Sequence, residues 1–235
     1  GYANGSSPIS NCSNSGAFTY EINNIANVLS DYTGSAPYHY IGGVIGKGDT
    51  NIDNIVNEQT GSLTVTTNVA GDFGGVVGYT AGNNIKLENK APITIDFTNK
   101  GQSCAAQCMI AGVVAKNYAK TSSSKVNVDS CVNSGNLTIK NLAYTANYAY
   151  IGGIIGSNDT DGIGSIKNCV NTGNIDIDAP AIVRAGGVAG YTGCKLTDSR
   201  FSGKITTKRV VANSSYFSSI GGLIGYTAQG IAGGS

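Results

Sequence analysis

One hexapeptide is written six times along this chain: "IGGVIG" at Ile41, "FGGVVG" at Phe73, "IAGVVA" at Ile110, "IGGIIG" at Ile151, "AGGVAG" at Ala185 and "IGGLIG" at Ile220. The central doublets begin at 42, 74, 111, 152, 186 and 221, in steps of 32 to 41 residues. A unit of that length cannot bury its own apolar face, so recurring units must stack on one another. Glycine alternating with branched residues opposes a helix. It makes a weak isolated strand, one that needs a neighbour on each side.

Two further signatures follow the hexapeptides. The first is an Asn turn: "NCSNSG" at Asn11, "NIVNEQTG" at Asn54, "LENKAP" at Leu87, "SCVNSG" at Ser130, "NCVNTG" at Asn168 and "SRFSG" at Ser199. The second is a run alternating between apolar and polar residues, as in "SLTVTT", "ITIDF", "NLTIK", "NIDID" and "KITTK". That is the period-two pattern of a strand. One unit therefore reads as a glycine strand, a turn, a short strand, the Asn turn and a third strand, with a variable loop leading onward. Sustained 3.6-residue periodicity is absent. Only Tyr20–Tyr32 offers a short helix or irregular cap, through Ile22, Ile25, Val28 and Leu29.

The expected fold is all-β, a parallel β-helix-like solenoid of about six repeats. A β-sandwich is the alternative. In the glycine strand, Ile41, Gly43 and Ile45 would share one face, and Gly42, Val44 and Gly46 the other. Asn14, Asn57, Asn89, Asn133 and Asn171 occupy equivalent turn positions, with Phe201 as the exception. Asn tolerates the left-handed conformation of a tight turn. Stacked Asn side chains can also hydrogen-bond along the axis as a structural ladder.

Charge excludes some functions. Charged residues are 12% of the chain, the formal net charge is +1, and the longest basic block is Lys208-Arg209. Neither nucleic acid nor an anionic membrane is an expected partner, and no apolar run is long enough for a spanning helix. Residues 1–235 read as a single repeat domain, part of a longer array, with 1–10 and 230–235 as flexible ends. The chain opens on the second half of a unit and closes on the first half of another. A cut array and copies that meet end to end both fit that pattern.

The glycine strand followed by "xNCxNSG" resembles the GLUG-type repeat of bacterial surface proteins, over about Asn11 to Gly225. Two units depart from it, at Ala111-Gly112 and at "SRFSG". The resemblance implies a secreted or cell-surface bacterial protein, such as an adhesin or the non-catalytic part of a surface peptidase. It carries no catalytic residue to transfer.

Candidate chemistry is sparse. Cys12, Cys131 and Cys169 share a repeat position that elsewhere holds Ile55, Leu87 and Ser199, which reads as a small apolar slot. Cys131 and Cys169 should lie on neighbouring coils, within disulfide range. Cys104 and Cys108 flank "AAQ" in a variable loop, where a small disulfide suits a secreted protein. His39 is the only histidine and no CxxC pair occurs, so no metal site or cofactor is expected. No catalytic residue is assigned. A β-helix polysaccharide lyase or glycosidase would need clustered acids, and Asp159/Asp161 and Asp176/Asp178 are the nearest to pairs. Thr-rich strands hint at an ice-binding face, but their strings show no regular Thr-x-Thr register.

Tyrosines are the binding candidates. Tyr79, Tyr191 and Tyr226 each follow the last Gly of a glycine strand, and Tyr40, Tyr148 and Tyr150 precede one. Stacked, they would form aromatic rows along one edge, suited to a host or matrix glycan or a protein. The loops "TNVAGD", "NKGQSCAAQC", "NLAYTANYA" and "KRVVANSSYFS" would supply the variable ligand-facing surface. The expected function is a non-catalytic adhesion or stalk module. A self-assembling fibre or surface-layer subunit and a β-helix carbohydrate-active enzyme are the alternatives.

Overall fold

The computed structural model describes residues 2–3, 7–21, 39–67, 69–97, 107–119, 125–142, 144–159, 164–210, 212 and 217–228. These residues form strands, turns and bends with no helix. A complete coil has four strands, not the three read from the sequence. Coil 1 runs His39–Gly42, Ile45–Gly48, Ile52–Asn57 and Ser62–Thr66. Each later coil repeats that order, with the third strand broken in two from coil 3 onward, so four walls rise along the axis, numbered I to IV. Wall I climbs from His39–Gly42 to Ser219–Gly221, and wall II from Tyr2–Ala3 to Ile224–Thr227. Wall III climbs from Ile9–Asn14 to Arg200–Phe201, and wall IV from Ala17–Glu21 to Ile205–Lys208. Neighbouring strands pair in parallel throughout, which a sandwich of hairpins cannot do. The rest of each coil is the crossover that parallel pairing needs. Ile9 and Ser10, placed above in a flexible end, open a strand paired with Ile52–Asn57.

The glycine hexapeptide is a corner, not a strand. Ile41-Gly42 closes a wall I strand, Gly43-Val44 forms a bend, and Ile45-Gly46 opens wall II. The expected alternation of faces fails, because Ile41 and Ile45 belong to separate hydrophobic clusters. One cluster fills the lobe between walls I and IV, with Phe73, Ile95, Ile110 and Leu137. The other fills the lobe between walls II and III, with Ile52, Val77, Leu87 and Val114.

The two lobes are pinched apart where the glycine corner meets the Asn turn across the coil. Asn57 Nδ2 donates to the Gly75 carbonyl at 2.9 Å, and Asn171 Nδ2 to that of Gly187 at 2.8 Å. A methyl group on Gly75 would lie 2.7 Å from Asn89 Cγ, and one on Gly112 would lie 2.5 Å from Asn133 Cγ. Neither glycine has a positive φ, so proximity alone demands the missing side chain.

The left-handed residues sit elsewhere than expected. Asn11, Asn54, Lys86, Ser130, Asn168 and Asp198 adopt φ of 50° to 56°, three residues before the turn position assigned from sequence. They bend wall III and leave the turn Asn side chains free to face inward. Those side chains hydrogen-bond along the axis. Asn14 donates to Asn57 at 3.2 Å, Asn57 to Asn89 at 3.0 Å, Asn89 to Asn133 at 2.8 Å and Asn133 to Asn171 at 2.8 Å. From Asn57 to Asn171 the members are buried.

Other placements differ from the sequence reading. Tyr20 and Glu21 belong to a wall IV strand, and the rest of the helical candidate lies outside the described residues. Of the first loop, Val69, Ala70 and Asp72 are buried, and much of "NLAYTANYA" is strand. The threonine strings do align. Thr19, Thr64, Thr94, Thr138 and Thr206 form one file on wall IV, broken by Asp176. Its neighbouring file carries Asp96, Lys140, Asp178 and Lys208, a charged surface.

Candidate functional site: an aromatic seam

The glycine corner points inward, so the outer faces of walls I and II fold against each other. The last glycine of the motif forms the base of that contact. A methyl on Gly78 would lie 2.6 Å from Ile41 N, and one on Gly156 would lie 2.8 Å from Ile110 N. Wall II of each coil thus rests on wall I of the coil below. Alternation slips at this glycine: Val77 and Thr80 are buried, while Tyr79 turns outward beside it.

Two files of side chains meet above the glycine floor. Wall I contributes Tyr40, Asp72, Met109, Tyr150, Arg184 and Ser219, in register from coil to coil. Wall II contributes Lys47, Tyr79, Lys116, Ser157, Tyr191 and Tyr226. The one-coil offset brings Tyr40 to Tyr79 and Tyr150 to Tyr191, each with ring centroids 5.2 Å apart. Tyr148 stacks near Tyr150 at 6.1 Å, and Tyr191 near Tyr226 at 6.0 Å with planes 12° apart.

The six tyrosines named from sequence fall on one interdigitated seam in two groups, Tyr40 with Tyr79 and Tyr148 with Tyr150, Tyr191 and Tyr226, separated by the layers of Asp72, Met109, Lys116 and Ser157. Tyr150 is 7% exposed and Tyr40 is 38% exposed. Tyr38 and Tyr216 lie outside the described residues.

Cations fill the gaps between rings. Lys47 Nζ lies 5.0 Å from the Tyr40 centroid and 5.1 Å from that of Tyr79. Lys116 lies 5.6 Å from Tyr118, which is 43% exposed at the seam's rim. The Arg184 guanidinium carbon is 3.6 Å from both the Tyr148 and the Tyr226 centroids. Such contacts contribute about 0.5–2 kcal/mol each, most where water is excluded. Burial, then the fields of Asp49, Tyr40 and Asp72, pushes the Tyr79 phenol up to about 12. Burial also raises the Tyr40 and Tyr150 phenols.

Sequence reasoning missed Lys47, Asp72, Lys116 and Arg184. Their signal was positional: each stands just before the apolar residue that opens a hexapeptide, or just after its last residue.

The remaining candidates are dispersed. Cys131 and Cys169 are buried free thiols on adjacent wall III turns, and Cys12 is exposed. Burial pushes the Cys131 thiol well above its ordinary value. Cys108 is buried in wall I, and Cys104 lies outside the described residues. His39 contacts the Tyr20 hydroxyl at 3.2 Å, and burial lowers its pKa. Asp161 and the side chain of Asp159 are also outside the described residues. Asp176 and Asp178 face a 450 Å³ concavity on wall IV, and Asp178 accepts a hydrogen bond from Arg209 Nε at 2.6 Å. Among the described residues no cluster of His, Cys, Asp and Glu could hold a metal ion.

No curated protein and no solved structure matches the chain. The family model of the GLUG motif matches residues 147–176. That span crosses the Gly152-Gly153 corner of coil 4, reaches the ladder residue Asn171 and ends in wall IV. A methyl on Gly153 would overlap Asn171, so the match covers both partners of the pinch. The chain thus carries the GLUG motif, which is found in repeat regions of bacterial surface proteins.

Proposed function

We propose that the chain is a non-catalytic, surface-exposed module of a bacterial protein, and that it binds an extended glycan along the aromatic seam. The observation that carries this reading is the convergence of tyrosines from two walls onto one seam, Tyr40 with Tyr79 and Tyr148 with Tyr150, Tyr191 and Tyr226. Rigid rings with a hydroxyl at the rim suit a sugar, which offers an apolar face and a polar edge together. A layer is about 4.8 Å thick, close to the length of one sugar ring. A peptide fits the seam less well. Backbone groups of both walls are paired along the axis, so no free strand edge runs along the groove for β-addition.

The catalytic alternative draws no support from the acids. Asp178 is held by Arg209, and the seam acids Asp49 and Asp72 lie among tyrosines.

A glycan-array screen with light scattering on the same sample tests the proposal. Binding that is lost in Tyr191→Ala and Tyr226→Ala, with a circular dichroism spectrum unchanged, is the expected result. No glycan bound by a monodisperse monomer would leave a spacer instead. Growth of scattering with concentration would favour the self-assembling subunit.

A further inference from the structure

Resting on the glycan reading, we infer that Arg184 is a receptor for a carboxylate, so that the seam's ligand is an acidic glycan carrying uronic acid residues. Arg184 is 7% exposed, yet no carboxylate pairs with it among the described residues. Its described neighbours are aromatic: Tyr148 and Tyr226 on its two faces, with Tyr150 and Phe217 further out at 5.8 and 5.9 Å. Buried charges in proteins are normally paired. Ring contacts offset part of the desolvation and the Tyr150 hydroxyl accepts a hydrogen bond from the guanidinium, but among the described residues no carboxylate neutralises its charge.

The geometry defines what would complete the site. Two rings close the faces of the guanidinium, so a partner can approach only at its edge. Arg184 Nε is buried without a hydrogen-bond partner. Ser219 Oγ, the next member of the same wall I file, is also buried and unpartnered. An edge-on guanidinium beside a hydroxyl matches a planar carboxylate, which accepts two parallel N–H bonds and a third from the hydroxyl. Phe217, 56% exposed, stands at the mouth, where a sugar ring would lie.

The test is calorimetric titration of the folded chain with hexagalacturonate, its methyl ester and a hexaglutamate peptide. The acid should bind about ten- to hundred-fold more tightly than the ester, the range of one charge-assisted carboxylate contact. Arg184→Gln should erase that preference. Arg184→Lys, which keeps the charge without the fork, should lose most of it, and guards against a folding defect in the first variant. Equal binding of acid and ester, or a preference that survives Arg184→Gln, overturns the inference and leaves the glycan reading standing. Binding of neither sugar overturns the inference, and the glycan array then decides the glycan reading. Tighter binding of hexaglutamate overturns the glycan as carrier of the carboxylate.

Discussion

Replacing Asn133 with alanine tests the ladder where it is most enclosed. Asn133 is fully buried. It accepts from Asn89 Nδ2 at 2.8 Å and donates to Asn171 Oδ1 at 2.8 Å and to the Gly135 carbonyl at 2.9 Å. The substitution removes three hydrogen bonds, each contributing about 1 kcal/mol net. It also orphans one N–H of Asn89, whose other bond to Ala91 remains. That adds about 1–2 kcal/mol, for a loss of about 3–5 kcal/mol and roughly 10 °C in Tm. Asn14→Ala is the control. Asn14 is partly exposed at the first rung, so water replaces its partners and the cost stays below about 1 kcal/mol. Urea titration followed by far-UV circular dichroism gives the difference, and hydrogen exchange should place the new opening in coils 2 to 4. Asn133→Asp sharpens the test. An ionised carboxylate cannot donate to Asn171 or Gly135, so its deficit should shrink as the pH falls and the carboxyl protonates. If Asn133→Ala costs no more than Asn14→Ala, the ladder is not a source of stability.

Four further outcomes are expected. Gly153→Ala should cost more than about 3 kcal/mol or prevent folding, because its methyl overlaps Asn171 and the Gly187 carbonyl. Gly222→Ala, with open space around the same corner position, should leave thermal stability within about 0.5 kcal/mol in this chain. Asn117→Thr should stabilise by about 1–2 kcal/mol in a thermal melt, since both amide atoms of Asn117 are buried without partners. Its file-mates Thr80 and Thr192 instead accept from Gly82 N and Cys194 N. Tyr79 makes stability pH-dependent. Its folded value of about 12 exceeds the ordinary 10.0, so its contribution is intact below pH 10 and lost as pH rises through 12. Phenolate absorbance should show late titrations from Tyr79, Tyr40 and Tyr150, one of which Tyr79→Phe removes.

The repeat was legible because its period is a property of spacing, and spacing alone demands stacking. The Asn file was legible for the same reason: five identical residues at one repeat position leave little choice of arrangement. What failed was the assignment of direction within a coil. Period-two reasoning treats "IGGVIG" as a straight strand, and nothing in six residues reveals that Gly43-Val44 bends. The bend comes from a contact with Asn57 and the Gly75 carbonyl, on other segments of the solenoid. The left-handed residue was misassigned because Asn stands both at Asn54 and at Asn57, and only wall III's path separates their roles. Arg184 escaped notice because its file reads Tyr, Asp, Met, Tyr, Arg, Ser, with no shared chemistry to mark it.

The seam and the ladder are two consequences of one contact. Asn57 and Asn171 hydrogen-bond to the glycine corner, and Asn89 and Asn133 pack against it, so the corner is held inward. An inward corner forces the outer faces of walls I and II together, and only glycine or alanine at the motif's last position lets their backbones approach so closely. Side chains just beyond that position then have no route except toward each other, whatever their type. This separates what the fold must keep from what it can vary. The glycines and Asn residues fix the depth of the groove, while the two flanking files carry tyrosine, lysine, arginine or serine without cost to the pinch. A repeat built this way can change its surface chemistry coil by coil and retain its frame.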